Sequence, residues 1–450
     1  MEDGDGIGRR RNTLRHPRFL RRVFSCAAKH AASSKARDRK MIADHVVVAA
    51  LRFDAESDYF EEHAGAVARA YRSPAANLTR LVPKMRALGI AAILALSPLA
   101  AFAAEGNLAM SDPDRLSWQL FVELTAPTEH AGKVVFETWA SNQDTFTTDP
   151  KYPATPSSKE LHYPALAGRR PDGPGPWQRS APGGEEVRRN RVTFDYITAP
   201  GNRFHTRAGL ARAFAEKREI KLPVDSIEVK ANWIVADAVD RTRYYVGVGA
   251  DGKDYALVSL HVTTKLIPNW TWATFEHADN AGRCDVMGCR DTFGATLALA
   301  EPGESRNARY PACEKTDALA AMMAQAKLAP VFANYCLKGS QNDFVTATGL
   351  PTLLGNSVTE FGFVDTSSCI SCHARASVNA QGAPAQGFGF IEAPDRTSSN
   401  CPPAGRCSPY GTPNPAWFWD NLGSGEPDLK ALQTDFLFSL VLHAIGPAAE

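Results

Sequence analysis

The clearest chemistry in the chain sits in five residues, Cys369-Ile370-Ser371-Cys372-His373. The pattern is C-x-x-C-H, the attachment signature of a c-type haem. Two thiols three residues apart, on the first turn of a helix, can each add to one haem vinyl group. The adjacent imidazole is then held beneath the iron as proximal ligand, a common role for histidine. Thr366-Ser367-Ser368 before the pattern offers helix N-caps, and Ala374-Arg375-Ala376-Ser377 after it tolerates helix. Three other uses of such a pair compete. A thioredoxin-like redox pair would lie in a βαβ pattern, which is missing here. Zinc would want a second Cys/His pair at matching spacing. A plain disulfide is the third. The expectation is one covalent haem c, with Cys369 and Cys372 as thioether donors and His373 as iron ligand.

No methionine follows His373; the last is Met323. A sixth ligand must therefore come from upstream, be His443, or be missing. His277 follows an aromatic run, Trp270-Thr271-Trp272-Ala273-Thr274-Phe275, that could wall a haem pocket, and Glu276 could orient it. His277 is therefore the candidate distal ligand. Met287 lies in a cysteine-bounded turn and is a weaker one. His261 reads as a core or sheet-face residue, Met322 and Met323 as helix core, and His443 as a charge complementing a helix C-terminus. Six-coordinate iron favours electron transfer; an open position permits peroxide, nitric oxide or carbon monoxide. A peroxidase could be sketched from His277 with Arg283 or Arg290, though nothing in the sequence demands it. The expected function is electron transfer to a redox partner protein. An open-site haem enzyme or small-ligand binder is the alternative, and a disulfide-stapled binding protein without haem a further one.

Elements must position these groups. Ser111-Asp112-Pro113 starts a helix that runs through Leu116, Trp118, Phe121 and Leu124 until Pro127. Residues 141–187 are polar and rich in Pro and Gly and read as a long surface loop. Leu210 to Arg218 reads as a short helix. From Ser226 the period becomes two. Ile227, Val229, Ala231 and Trp233 alternate with Glu228, Lys230 and Asn232, which makes Glu228 and Lys230 a solvated pair on one strand face. Tyr244–Val248 and Tyr255–Leu266 flank a turn at Ala250-Asp251-Gly252, and Trp270–Phe275 adds another strand. Residues 190–280 thus predict an antiparallel sheet. Beyond it, Leu319, Met322, Met323, Leu328, Phe332 and Cys336 fit a helix bent at Pro330. Residues 380–425 read as a loop, and Leu429–Ala444 as an amphipathic helix. The expected fold is α+β: an antiparallel sheet with helices over 104–300, followed by a mostly helical haem-bearing part over 301–450.

The chain has 450 residues, with 50 Lys/Arg against 49 Asp/Glu, and 44% hydrophobic residues. That balance excludes a basic nucleic-acid-binding domain, and the apolar content supports a substantial core. Lys84-Met85-Arg86, the apolar run from Ala87 and the Ala101-Phe102-Ala103 cleavage pattern make 85–103 a secretory signal peptide. Residues 1–84, rich in Arg and Ala, read as an over-extended and disordered N-terminus, with Met85 as the initiator. A periplasmic protein, soluble or peripheral and with no stable membrane span after cleavage, is expected. In that oxidising compartment the other six cysteines of the exported part are expected to form disulfides; six allow 15 pairings, and the local one joins Cys284 with Cys289, Cys313 with Cys336, and Cys401 with Cys407. No Gly-rich phosphate loop, G-x-S-x-G elbow or H-E-x-x-H pattern is present.

Cys369 to His373 resembles the c-type cytochrome attachment site. Ile227-Glu228-Val229-Lys230, Trp272-Ala273-Thr274-Phe275-Glu276-His277 and Leu354-Gly355-Asn356-Ser357 resemble phrases of a family of exported bacterial proteins with a cytochrome c domain and no assigned reaction. The resemblance runs from about residue 110 to the C-terminus. It implies haem, export and a shared fold, and no substrate. Small soluble cytochromes c place the haem site near the N-terminus and a Met ligand after it. This chain does neither.

Overall fold

A computed structural model describes residues 107–162, 183–302, 308–360, 364, 367–385, 410–423 and 425–447. The signal segment, the N-terminal 84 residues, Cys401 and Cys407 lie outside these. One helix, Pro113–Leu124, starts where the sequence places it. Asp112 caps it by accepting from the Arg115 amide at 3.3 Å, and proline occupies the first turn, where no amide donor is needed. Its buried face presents Leu116, Trp118, Leu120, Phe121 and Leu124 to a sheet.

The sheet has seven strands, all antiparallel: β1 (Ala140–Ser141), β2 (Gly183–Arg189), β3 (Ile227–Val235), β4 (Val246–Val248), β5 (Asp254–Thr264) and β6 (Thr271–His277), closed by Tyr335–Gln341. Two short strands intervene, β7 (Cys289–Arg290) and β8 (Leu299–Ala300), which form a separate ribbon. Tyr335–Gln341 is therefore β9, and the spatial order is β1-β2-β3-β5-β6-β9. β4 pairs with the first residues of β5, and β6 with the last.

Period-two alternation gives the sheet two unlike faces. One carries Val229, Ala231, Trp233, Leu257, Leu260, Val262, Ala273, Phe275 and Leu337, all buried in one core with the Pro113–Leu124 helix. There Trp118 and Phe121 meet Phe275 at ring-centroid distances of 5.0 and 4.5 Å. The contact is tight enough that a Cβ on Gly294 would lie 2.1 Å from Trp118 Nε1. The other face is polar. From β3 to β9 it presents Glu228, Lys230, Asn232, Ser259, His261, Thr263, Trp272, Thr274, Glu276 and Gln341. A second core at one end gathers Trp270, Trp272, Leu354, Ile370, Val378, Leu437 and Leu440 with the helices Arg191–Thr198 and Arg207–Ala215.

The structure corrects the expected fold class: the C-terminal part is not mostly helical. Its helices are short, at Asp317–Gln325, Cys369–His373 and Phe438–His443. The helix expected to run on to Cys336 ends at Gln325. Lys327 turns left-handed at φ 56°, and the Leu328 amide caps the Met323 carbonyl at 3.1 Å. Pro330 then opens a single 3₁₀ turn, and Tyr335-Cys336-Leu337 joins the sheet against β6. An unpaired edge of buried aromatic strand is costly, and β9 covers it. The amphipathic helix expected from Leu429 shrinks because Asp435 and Phe436 are both left-handed, at φ 49° and 71°. Two short ribbons, Ser377–Val378 with Leu432–Gln433 and Trp419–Asp420 with Asp428–Leu429, take up the rest.

The long polar loop also needs correction. Its last residues begin a strand, Gly183–Arg189, hidden from hydrophobic alternation because its buried positions include charged side chains. Glu186, Arg188 and Arg189 are buried and neutralised by partners rather than by water. Arg188 holds Glu186 at 2.6 Å, and Lys159 Nζ reaches Glu137 at 3.0 Å and Glu186 at 2.8 Å while lying 3.5 Å over the Trp233 ring.

Candidate functional site

The Cys369–His373 turn is a helix capped by Ser368, whose Oγ accepts from the Ser371 amide at 3.4 Å. Gln341, at the end of β9, docks it to the sheet. Its Oε1 accepts from the Ile370 amide at 3.0 Å and its Nε2 donates to Ser368 Oγ at 2.9 Å. Ser371 Oγ donates to the Gly411 carbonyl at 2.8 Å. Helical pitch puts Cys369 and Cys372 on one side of this turn. Both are thiols, whereas Cys284–Cys289 and Cys313–Cys336 form two of the three disulfides expected; the third, Cys401–Cys407, lies outside the described residues. Cys369 Sγ lies 3.4 Å from the Leu354 carbonyl, and burial pushes this thiol well above its ordinary range.

His373 Nδ1 lies 2.9 Å from the Phe436 carbonyl. A carbonyl only accepts, so Nδ1 carries the proton and Nε2 keeps its lone pair. Burial lowers this imidazole to about 4, so it is neutral at pH 7. Trp272 stands 4.5 Å and Phe438 5.2 Å away, centroid to centroid. The carbonyl is aimed by backbone that L-residues rarely adopt, since Asp435 and Phe436 are successive left-handed positions. What holds them there is the buried Asp435 carboxylate. It accepts from the Leu222 amide at 2.7 Å, from Trp270 Nε1 at 3.2 Å and from Lys265 Nζ.

Facing this turn is the polar face of the sheet, sealed by the segment 354–360. Asn356 Nδ2 donates to Thr274 Oγ1 at 2.8 Å, and the Ser357 amide to Glu276 Oε1 at 2.9 Å; Ser357 Oγ donates to Glu276 Oε2. Asn280 Nδ2 donates to the same carboxylate at 3.0 Å, and Lys338 Nζ lies 3.8 Å from it. Lys338 is the extra residue of a β-bulge, between Gly339 opposite Thr274 and Leu337 opposite Phe275; bulges re-aim side chains in this way. Two of the phrases that carry the resemblance thus meet, through Thr274 and Glu276 on one side and Asn356 and Ser357 on the other.

Lys230, His261, Glu360, Cys369, Cys372 and His373 are each half-buried. Desolvation is nevertheless the largest influence on Lys230, His261, Glu360, Cys369 and His373. Burial raises Glu360 to about 6 and, with Lys230 adding to it, drives His261 well below the usual histidine range. Burial opposes the charge on Lys230, but Glu185 at 3.4 Å and Glu360 outweigh it and raise that ammonium. Two thiols and a neutral imidazole with its Nε2 lone pair, carried on one turn of helix, fit the donor set of a c-type haem.

The structure does not bring His277 to the Cys369–His373 turn. It is fully buried at the other end of β6 from Trp272, five residues and about 17 Å along the strand. Its ring stacks on Tyr244 at 3.5 Å, Nε2 donates to the Arg243 carbonyl at 3.1 Å, and Nδ1 accepts from the Asp279 amide at 3.2 Å. Arg283 braces the Cys284–Cys289 turn, donating to the Pro311 carbonyl at 2.8 Å, Arg290 is exposed, and Met287 stays in that turn. Met322 and Met323 pack in the core on the apolar side of the sheet. His443 is no dipole-complementing charge: burial lowers it to about 4 beside Phe146. Glu228 and Lys230 share a face, as expected, yet do not form a solvated pair. Glu228 is buried against Arg189 at 3.4 Å and Ser439 at 2.8 Å.

Sequence reasoning missed His261, Lys338, Glu360 and Asp435. His261 carried a usable signal, the polar alternation Ser259-His261-Thr263; the others carried none, because a bulge, a sealing loop and a left-handed turn place them. Among the described residues, no three or more His, Cys, Asp or Glu side chains converge as a ligand set for a bare metal ion, and no helix is long and apolar enough to cross a membrane. No protein-family model, no curated protein and no solved structure matches the chain.

Proposed function

We propose that the protein is an exported monohaem c-type cytochrome that passes electrons to a redox partner protein in the periplasm. The observation that carries the reading is the pairing of the Cys369 and Cys372 thiols with an imidazole whose Nδ1 proton is committed to the Phe436 carbonyl. Cys369 and Cys372 would hold the haem through thioethers, and His373 Nε2 would ligate its iron. A haem held there would supply a one-electron couple. The residues around it exclude water with Trp272 and Phe438 and keep His373 neutral. The two disulfides and the signal-like segment at 85–103 support export to an oxidising compartment. The likeness to exported cytochrome c-domain proteins in the Ile227, Trp272 and Leu354 phrases points the same way.

The test is an absorption spectrum of the full chain produced with a c-type maturation system, read in alkaline pyridine after denaturation. Haem that stays with the polypeptide through acid and organic extraction is the expected result. A colourless polypeptide from that host would overturn the assignment and leave a disulfide-stapled binding protein.

A further inference from the structure

We propose that the Cys313–Cys336 disulfide is a redox-active pair, opened by a dithiol reductant, and that Lys315 then holds Cys313 as a nucleophilic thiolate. This exchange is separate from any haem at the Cys369–His373 turn and does not require one.

Lys315 Nζ straddles the pair. It donates to Cys313 Sγ at 2.7 Å, to the Cys313 carbonyl at 3.0 Å, and at 2.8 Å to the carbonyl of Tyr335, the chain neighbour of Cys336. Those three bonds use the three protons of an ammonium. Backbone contacts fix where the side chain starts. Lys315 bridges Ala295, the Thr296 amide donates to the Glu314 carbonyl at 2.9 Å, and the Thr316 amide donates to the Gly294 carbonyl at 3.0 Å. Among the described residues, the hydrogen-bond partners of this ammonium are therefore two carbonyls and a sulfur, all uncharged. Burial lowers it to about 8, with Asp291 opposing and Arg283 adding to the effect. A thiolate at Cys313 would supply the counter-charge that the disulfide does not. Lys315 thus stabilises the reduced pair more than the oxidised one. A cation beside a cysteine lowers its pKa, and a disulfide whose reduced form is stabilised is the stronger oxidant.

Access points to the same sulfur. Cys313 is half-buried and keeps surface, whereas Cys336, on β9 opposite Glu276, is fully buried. A thiolate of the reductant attacks Cys313 Sγ, the Cys313–Cys336 bond breaks, and Cys336 leaves with the electron pair and takes up a proton. The reductant's second thiolate then attacks its own sulfur in the mixed disulfide. The reductant closes to a disulfide, Cys313 is released as a thiolate against Lys315, and the second proton goes to solvent. Cys284–Cys289 is the control within the same chain. Arg283 Nη1 lies 3.3 and 3.6 Å from its two sulfurs, but both cysteines are buried, so a cation is present without access. Exposed disulfides are the labile ones.

The experiment equilibrates the full chain, without denaturant, in graded ratios of reduced to oxidised dithiothreitol. Thiols are trapped by acid and alkylation and counted peptide by peptide, which separates Cys313 and Cys336 from the other cysteines. Cys313–Cys336 should open at a lower ratio than Cys284–Cys289. Lys315→Met should raise the ratio needed by about tenfold, equivalent to about 30 mV for a two-electron couple. A pair no easier to open than Cys284–Cys289, or a ratio unmoved by Lys315→Met, would overturn the proposal. If Lys315→Met fails to fold, the pH profile of Cys313 alkylation in the reduced wild type decides. A half-maximal rate below the ordinary cysteine value of about 8.5 is expected, and one at or above it overturns the thiolate role.

Discussion

The imidazole of His373 is held by one hydrogen bond and two aromatic rings, so its chemistry turns on few atoms. Cys372→Ala removes one of two thioether donors. Haem in that variant should be lost or extractable in part, and a pyridine spectrum matching wild type would refute the thioether role. Asp435→Ala tests the other side of the imidazole. It strips the carboxylate from Lys265, Trp270 and the Leu222 amide, and leaves an ammonium buried without its counter-charge. Breaking a buried pair in this way costs about 3–5 kcal/mol. Urea denaturation should show that loss, and a stability unchanged within error would mean that the left-handed turn at Asp435-Phe436 is held by something else.

At the scale of elements, the segment 354–360 is a seal fixed by side chains rather than by strand pairing. Its anchor is Glu276, which gathers the Ser357 amide and hydroxyl, Asn280 and Lys338. Glu276→Gln removes the only charge within 4 Å of the Lys338 ammonium given by the ion-pair geometry of the described residues. Residues 354–360 should then exchange amide hydrogens faster, and stability should fall by about 2–4 kcal/mol. Adding Lys338→Met should recover part of that loss, because it removes the stranded cation. Strictly additive losses in the double variant would show that the two side chains are not coupled.

For the whole molecule, buried histidines make the fold acid-sensitive. His277 and His443 are lowered to about 4 by burial, against 6.5 when unfolded. Between those values the unfolded chain binds protons that the native fold refuses, so stability falls as pH drops from 6.5 towards 4. Glu137 extends the loss. Burial opposes its charge, but Lys159, Lys133 and the Tyr245 hydroxyl lower it to about 2. Its stabilisation is complete above 4.5 and disappears as pH falls through about 2. Each pKa unit is about 1.4 kcal/mol, so each group accounts for a few kcal/mol at most. The urea midpoint should decline steadily from about pH 7 to about pH 4. A flat midpoint over that range would mean that these imidazoles are not buried neutral.

What the sequence determined by itself was local. C-x-x-C-H lies on a turn of helix because i,i+3 spacing needs no partner, and Pro113 and Asp112 start their helix for equally local reasons. The antiparallel core of β3, β5 and β6 was legible because alternation reports one buried face. Alternation did not reveal that the opposite face is buried too, since a polar face reads as solvated until something covers it. Tertiary structure decided that. The segment 354–360 packs on Asn232, His261, Thr274 and Glu276, and β9 leaves its expected helix to pair with β6. His277 looked suited to the iron by nearness in sequence to aromatic residues. Five residues of extended strand carry it away from Trp272, whose ring meets His373, because an antiparallel sheet sets neighbours by register rather than by order along the chain.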